Sequence, residues 1–205
     1  MSYLKSLGMA TLLIPSFSFA DVSGSVGYSS DYMWRGATQS NGQSSFNANL
    51  EVESNGFFAG AWTGQVDFGD DASWERNLYL GYGFSVSDNL SVKAGINQIR
   101  YDGGGRGVKE EGFVKVNYKN LNVMYFLDTE NEDDYAHISY DISDFVPVVD
   151  VALGYGYHDE ENDFSTMTVS YDLNDEFELS MMVMLDMAFE NQFSDSVSLG
   201  LHYNF

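Results

Sequence analysis

Cysteine is absent. That excludes disulfide staples and thiolate metal sites, and it suits a chain that crosses an oxidising periplasm. Proline occurs only twice, so little interrupts extended backbone. Basic residues are scarce, nine Lys and Arg against 31 Asp and Glu, for a formal net charge of −22. Such a surface repels nucleic acid, which is held mostly through Lys and Arg. The same acidity is equally what a solvated surface from a salty habitat would carry. No stretch beyond the first twenty residues approaches the ~18 apolar residues of a membrane helix.

What is present is glycine (20), tyrosine (14) and phenylalanine (15), the composition of an aromatic-rich all-β protein. The most regular stretch is the last, Ser196–Phe205. Val197, Leu199, Leu201, Tyr203 and Phe205 share one parity; Ser196, Ser198, Gly200, His202 and Asn204 share the other. That is a strand with a dry side and a wet side. A terminal Phe behind alternating apolar residues resembles the closing strand of bacterial outer-membrane β-barrels. The resemblance implies a segment read by the barrel-assembly machinery.

Met1–Ala20 reads as a secretory signal peptide: Lys5, an apolar run near Leu7–Ile14, then Pro15 and the small residues Ser18 and Ala20. The run is too short to span a bilayer. The expected division is 1–20 signal peptide and 21–205 barrel.

Period-two alternation then recurs along the chain. The first strand is expected over Val22–Arg35, with Val22, Val26, Tyr28, Tyr32 and Trp34 on one face and Ser23, Ser25, Ser29, Asp31 and Arg35 on the other. The second covers Ser45–Glu53, and Asn55-Gly56 turns the chain into a third over Phe57–Phe68. There Phe58, Trp62, Val66 and Phe68 are set against Thr63, Gln65 and Asp67. The fourth covers Trp74–Val86. The fifth starts at Leu90 and slips parity near Gln98–Arg100, which suggests a bulge. Seven further alternating runs follow, led by Val114, Leu121, Ala136, Val149, Met167, Phe177 and Val197.

About twelve strands is an even number, as bacterial barrels require. Connections after even strands are short; those after odd strands are longer and mostly acidic. That pattern predicts a transmembrane antiparallel up-and-down β-barrel in the outer membrane, both ends of the chain facing the periplasm. A sheet in hydrocarbon must close, because every backbone polar group needs an internal partner. A secreted sandwich or a soluble barrel is the alternative. Tyr32, Trp34, Trp62, Trp74, Tyr118, Tyr157, Tyr171 and Tyr203 are expected in interfacial girdles.

The polar parity then lines the interior: Asp31, Arg35, Glu51, Glu53, Gln65, Asp67, Lys93, Lys115, His137, Asp141, Asp150, Asp172, Glu178 and His202, with small residues including Ala59, Ala61, Gly81 and Gly83. Asp31, Arg35, Glu51, Asp67, Lys93 and Lys115 are the candidates for setting selectivity in a lumen. Asp31 and Arg35 would lie about 13 Å apart on one strand, so Arg35 should meet an acid on a neighbour such as Glu51 or Asp67.

Ser30-Asp31-Tyr32-Met33-Trp34-Arg35-Gly36-Ala37-Thr38-Gln39-Ser40 resembles the first-strand motif of the TorF family of porins, a bacterial outer-membrane family formerly of unknown function. Val22–Gly27 resembles the family's opening, and Phe57–Trp62 with Val66-Asp67-Phe68 its third strand. The resemblance implies an outer-membrane barrel of the porin kind and supplies no substrate.

The expected function is passive diffusion of small hydrophilic solutes, with cations preferred because acids outnumber bases. The alternative is a sealed barrel whose acidic loops bind a partner or divalent ions. Expected partners are outer-membrane lipid and lipopolysaccharide, the assembly machinery and small solutes, with no nucleic acid. No cofactor or metal is expected: Asp128–Asp134 and Asp159–Asp163 lack EF-hand spacing. No enzyme is expected either. His158 adjoins Asp159, yet no serine is marked as a nucleophile.

Overall fold

The computed structural model describes residues 20–129, 134–146, 148–158, 163–186 and 196–205. The signal-peptide expectation therefore lies outside the described residues. So does most of both acidic loops weighed for calcium.

Twelve antiparallel strands close into a barrel. They are β1 (Asp21–Ser29), β4 (Ser45–Ser54), β5 (Phe57–Gln65), β6 (Trp74–Ser87), β7 (Leu90–Tyr101) and β8 (Lys109–Tyr118), then β9 (Leu121–Asp128), β10 (Tyr135–Asp141), β11 (Asp150–His158), β12 (Phe164–Asp172), β13 (Phe177–Asp186) and β14 (Ser196–Asn204). Two short strands, β2 (Met33–Trp34) and β3 (Ala37–Thr38), form a separate ribbon between β1 and β4. Each barrel strand pairs with its neighbours in sequence, and β1 also pairs with β14. No open edge is left, so the ladder hydrogen bonds are made within the protein, as hydrocarbon demands.

The alternation turns inside out. Leu50, Leu78, Leu80, Ile96, Leu153, Val197 and Leu199 are 47–60% exposed on the outer wall. Outward aromatics cluster at two heights. Tyr82, Tyr118, Tyr140, Tyr171 and Tyr203 lie near the short turns; Tyr28, Tyr125, Tyr155 and Tyr157 lie near the long-loop ends of their strands. An aliphatic band between two aromatic belts is the surface a bilayer requires.

Most turns alternate in length as expected. The two-residue Asn55-Gly56 turn has both φ values positive, 51° and 83°, which suits the right-handed strand twist. The β10–β11 connection breaks the rule: it holds a short 3-10 turn, Ser143–Phe145, and is longer than the β9–β10 loop.

Three expectations are corrected here. The first strand ends at Ser29 instead of Arg35, because the chain leaves the wall and folds inward. The third ends at Gln65, and its parity is reversed: Phe58 is 5% exposed and faces inward, whereas Phe57 is 68% exposed. Ala59, Ala61 and Gln65 therefore sit on the outward parity, paired in the rows of Leu80, Leu78 and Trp74. No bulge lies at Gln98–Arg100. Register with β6 runs unbroken through Tyr101, and the shift falls at Ser85/Ser87.

Candidate lumen site

The interior is built on an aromatic arc. Phe113, Phe126 and Tyr135 are register partners on β8, β9 and β10. Their ring centroids are 5.6 and 6.0 Å apart. Phe58 reaches the arc from β5 across two intervening strands, 6.2 Å from Phe113. It can do so because its row passes through Gly81 and Gly95. A side chain at Gly95 would meet Phe113 at 2.8 Å, so the absence of Cβ there makes room for the rings. Phe164 continues the arc beyond Tyr135 at 6.3 Å.

Against this arc rests the inward hairpin, β2–β3. Its two-residue turn is Arg35-Gly36, with φ of 46° and 92°. Both residues of such a turn need positive φ; Gly36 adopts it readily, while Arg35 accepts it as an uncommon non-glycine case. The base is tied by Asp31, whose Oδ1 accepts from Thr38 Oγ1 (2.5 Å) and Ser40 Oγ (2.9 Å). Ser198 Oγ on β14 donates to the Asp31 carbonyl at 2.5 Å. Gln39 anchors the outer side through its carbonyl, which accepts from the Asp67 amide at 2.9 Å.

The tip crosses the lumen. Arg35 Nη1 and Nη2 donate to Glu111 Oε1 and Oε2 on β8, at 2.6 and 2.8 Å. Its guanidinium lies 4.6 Å from the Phe126 centroid, 4.7 Å from Tyr135 and 5.1 Å from Trp34. This pair is buried on both sides, with side chains 5% and 0% exposed. Lys109 extends the network, 3.1 Å from Asp128 and 3.7 Å from Glu111.

Beside the hairpin lies a cavity of about 440 Å³. Its wall includes Trp62, Tyr79, Asn77, Asn97, Lys93 and Lys115, with Tyr32 and Trp34 contributed by the hairpin segment. Lys93 Nζ sits 3.1 Å from Glu53 and 3.7 Å from Glu51. Lys115 is Lys93's register partner on β8. Among the described residues Lys115 has no carboxylate within 4.0 Å; its ammonium lies 5.5 and 5.9 Å from the Phe113 and Phe126 rings.

Of the six candidates, Glu51, Lys93 and Lys115 come together at this cavity. Asp31 and Arg35 belong to the hairpin, one at its base and one at its tip. Asp67 lies beyond β5, where its Oδ1 accepts from the Gly69 amide at 2.9 Å. Arg35 meets neither Glu51 nor Asp67: the partner is Glu111, because the hairpin carries Arg35 across to the far wall. Tyr32, Trp34 and Trp62 are likewise removed from the girdles, since they face the cavity. Glu111 was legible in principle, since it shares parity with the inward Lys115 and Asn117. Glu75, 2% exposed and bonded by Asn77 at 2.8 Å, carried the same cue, since it shares parity with Asn77, Gly81 and Gly83 on β6.

His158 is buried at 7% exposure beneath Tyr135, with ring centroids 6.0 Å apart, so it does not present itself at an open rim. Among the described residues no three His, Asp or Glu side chains gather to hold a metal.

The family model described as a bacterial protein of unknown function (Gcw_chp) matches residues 16–185. The chain belongs to this family. No curated protein matches it. Among solved structures it is similar to the KdgM porin, with a TM-score of 0.66 and 11% identity over 89% of this chain and 99% of that one. A KdgM porin in complex with disordered oligogalacturonate gives 0.65 and 9%, over 91% and 99%. At these identities the likeness concerns the fold: this Gcw_chp chain has the architecture of an outer-membrane porin.

Proposed function

We propose that the protein is an outer-membrane channel for passive diffusion of small hydrophilic solutes. The observation that carries this reading is a cavity of about 440 Å³ inside a closed barrel with an aliphatic outer band, its aromatic wall set with Glu51, Lys93, Lys115 and three asparagines. Charged and carboxamide side chains turned inward have no purpose against lipid; they serve water and solute. The TorF resemblance of the Ser30–Ser40 motif points the same way, as does the signal peptide expected over 1–20. Outer-membrane lipid and lipopolysaccharide are then the surroundings, and the β14 segment is the part offered to the assembly machinery.

Cations are favoured. The short-turn mouth carries Asp21, Asp141, Asp150, Asp172 and Glu178; the long-loop side carries Asp67, Asp70, Asp71 and Asp102. Negative mouths raise the barrier for anions. The test is conductance of the refolded mature chain in planar bilayers under a salt gradient. Discrete openings with a reversal potential toward the potassium equilibrium value are expected. A folded sample that never conducts removes the reading.

One observation favours a second reading, a sealed barrel with acidic loops that bind a partner or ions. The hairpin and the aromatic arc fill much of the interior, and the Arg35–Glu111 pair fastens the filling in place. Absent conductance in a folded barrel would support it.

A further inference from the structure

The nine Lys and Arg of this chain are outnumbered more than threefold by acids, yet two of the nine are register partners on one cavity wall. Lys93 is engaged by Glu51 and Glu53. Lys115 has aromatic faces for neighbours and, among the described residues, no acid within 4.0 Å. Glu51 lines the same cavity and acts on Lys115 from a distance, but it is engaged by Lys93. A cation at such a wall with no carboxylate in direct contact attracts an anion, because water there screens it poorly. The same wall leaves the Oδ1 atoms of Asn77 and Asn97 buried without hydrogen-bond partners. Carboxamides with spare capacity suit a ligand rich in hydroxyls. Flat apolar surface completes the wall, from Trp62, Tyr79 and Phe58. Ligand sites commonly combine such surface with a few polar groups that fix orientation.

We propose that this cavity is a binding subsite for a small hydroxylated carboxylate of the sugar-acid class. Lys115 holds the carboxylate through a charge-assisted hydrogen bond. The asparagine carboxamides take hydroxyls, and the C–H face of the ring lies against Trp62 or Tyr79. This inference rests on the channel reading, since it names a class of solute for the same lumen. It is compatible with acidic mouths: those govern small ions in bulk, whereas Lys115 acts within contact distance.

The test uses three sugars of one size and different charge: D-glucuronate, D-glucose and D-glucosamine. Each is titrated against the full mature chain, first as block of single-channel current. The second readout is tryptophan fluorescence in detergent with Trp74→Phe, which leaves the cavity residues Trp34 and Trp62 as reporters. Glucuronate is expected to act at concentrations at least ten times lower than either other sugar. Lys115→Gln should abolish that preference, and Lys119→Gln, in an exposed turn, should leave it intact. Retention of the folded, heat-modifiable band shows that each variant closes.

Equal response to the three sugars, or a preference that survives Lys115→Gln, overturns the subsite. A chain that conducts without discriminating keeps the channel and loses the subsite. A chain that never conducts, yet shows a Lys115-dependent fluorescence response to glucuronate, keeps the subsite and loses the channel.

Discussion

Arg35 and Glu111, 76 residues apart in sequence, are joined by two parallel hydrogen bonds of 2.6 and 2.8 Å inside the barrel. The pair ties the tip of the first loop to the opposite wall. Paired geometry of this kind adds direction as well as strength. Removing one partner from a buried pair commonly costs about 3–5 kcal/mol, because the other charge is left unmatched. Glu111→Gln is therefore expected to free the hairpin without opening the barrel. Single-channel records should show larger, noisier currents, and Arg35→Gln added to it should restore part of the lost thermal stability.

Gly36 has φ of 92°, and a Cβ there would meet the Phe164 ring at 2.8 Å. Gly36→Val should weaken the hairpin by about 1–3 kcal/mol through backbone strain alone, with the clash adding to it. The unfolding midpoint of the folded band in detergent measures the loss. Gly42→Ala, also at positive φ but with open space around it, should cost less.

Leu80 sits on the outer wall of β6 between Trp74 and Tyr82, 56% exposed. Leu80→Arg should cost about 2–4 kcal/mol in lipid, the figure for a cation near the bilayer midplane. Ser91→Arg, on the inward parity, should cost far less. Reversible folding into vesicles under a urea gradient ranks the two.

Asp102 accepts from the Ser73 and Trp74 amides, at 2.9 and 3.0 Å, and from Ser73 Oγ. These bonds favour the charged form and hold its carboxyl below the usual range, the backbone amides first. A lowered folded value means that the stabilisation exists above the unfolded value of ~3.9 and vanishes as pH falls through the folded one. The amide shifts of Ser73 and Trp74 should therefore titrate together, with a midpoint below ~3.9. Asp102→Asn should remove that step.

The strands were legible where one parity was plainly polar. In β14, Gly200, His202 and Asn204 alternate with Leu199, Leu201 and Tyr203, and the wall follows suit. In β5 both parities are apolar, and size misleads: the large Phe58 and Trp62 read as lipid-facing, while small Ala59 and Ala61 read as interior. The lumen is itself aromatic at that height, so hydropathy could not tell the two sides apart. The hairpin was hidden for a similar reason. Alternation runs on through Trp34, and the cue was Arg35-Gly36, a pair that takes positive φ at both positions. Parity placed Glu111 inward, but its pairing with Arg35 had no local signal, because a loop reaches it from 76 residues away.

The seam between β1 and β14 brings the Gly24 and Phe205 backbones together in two reciprocal bonds, 2.9 and 3.0 Å. Because β1 pairs with β14, the first barrel strand has no partner on that side until the last has been made and brought round. Until then each nascent molecule carries two raw flanks that invite partners of its own kind or a protease. An unsealed copy therefore needs both flanks covered until β14 docks.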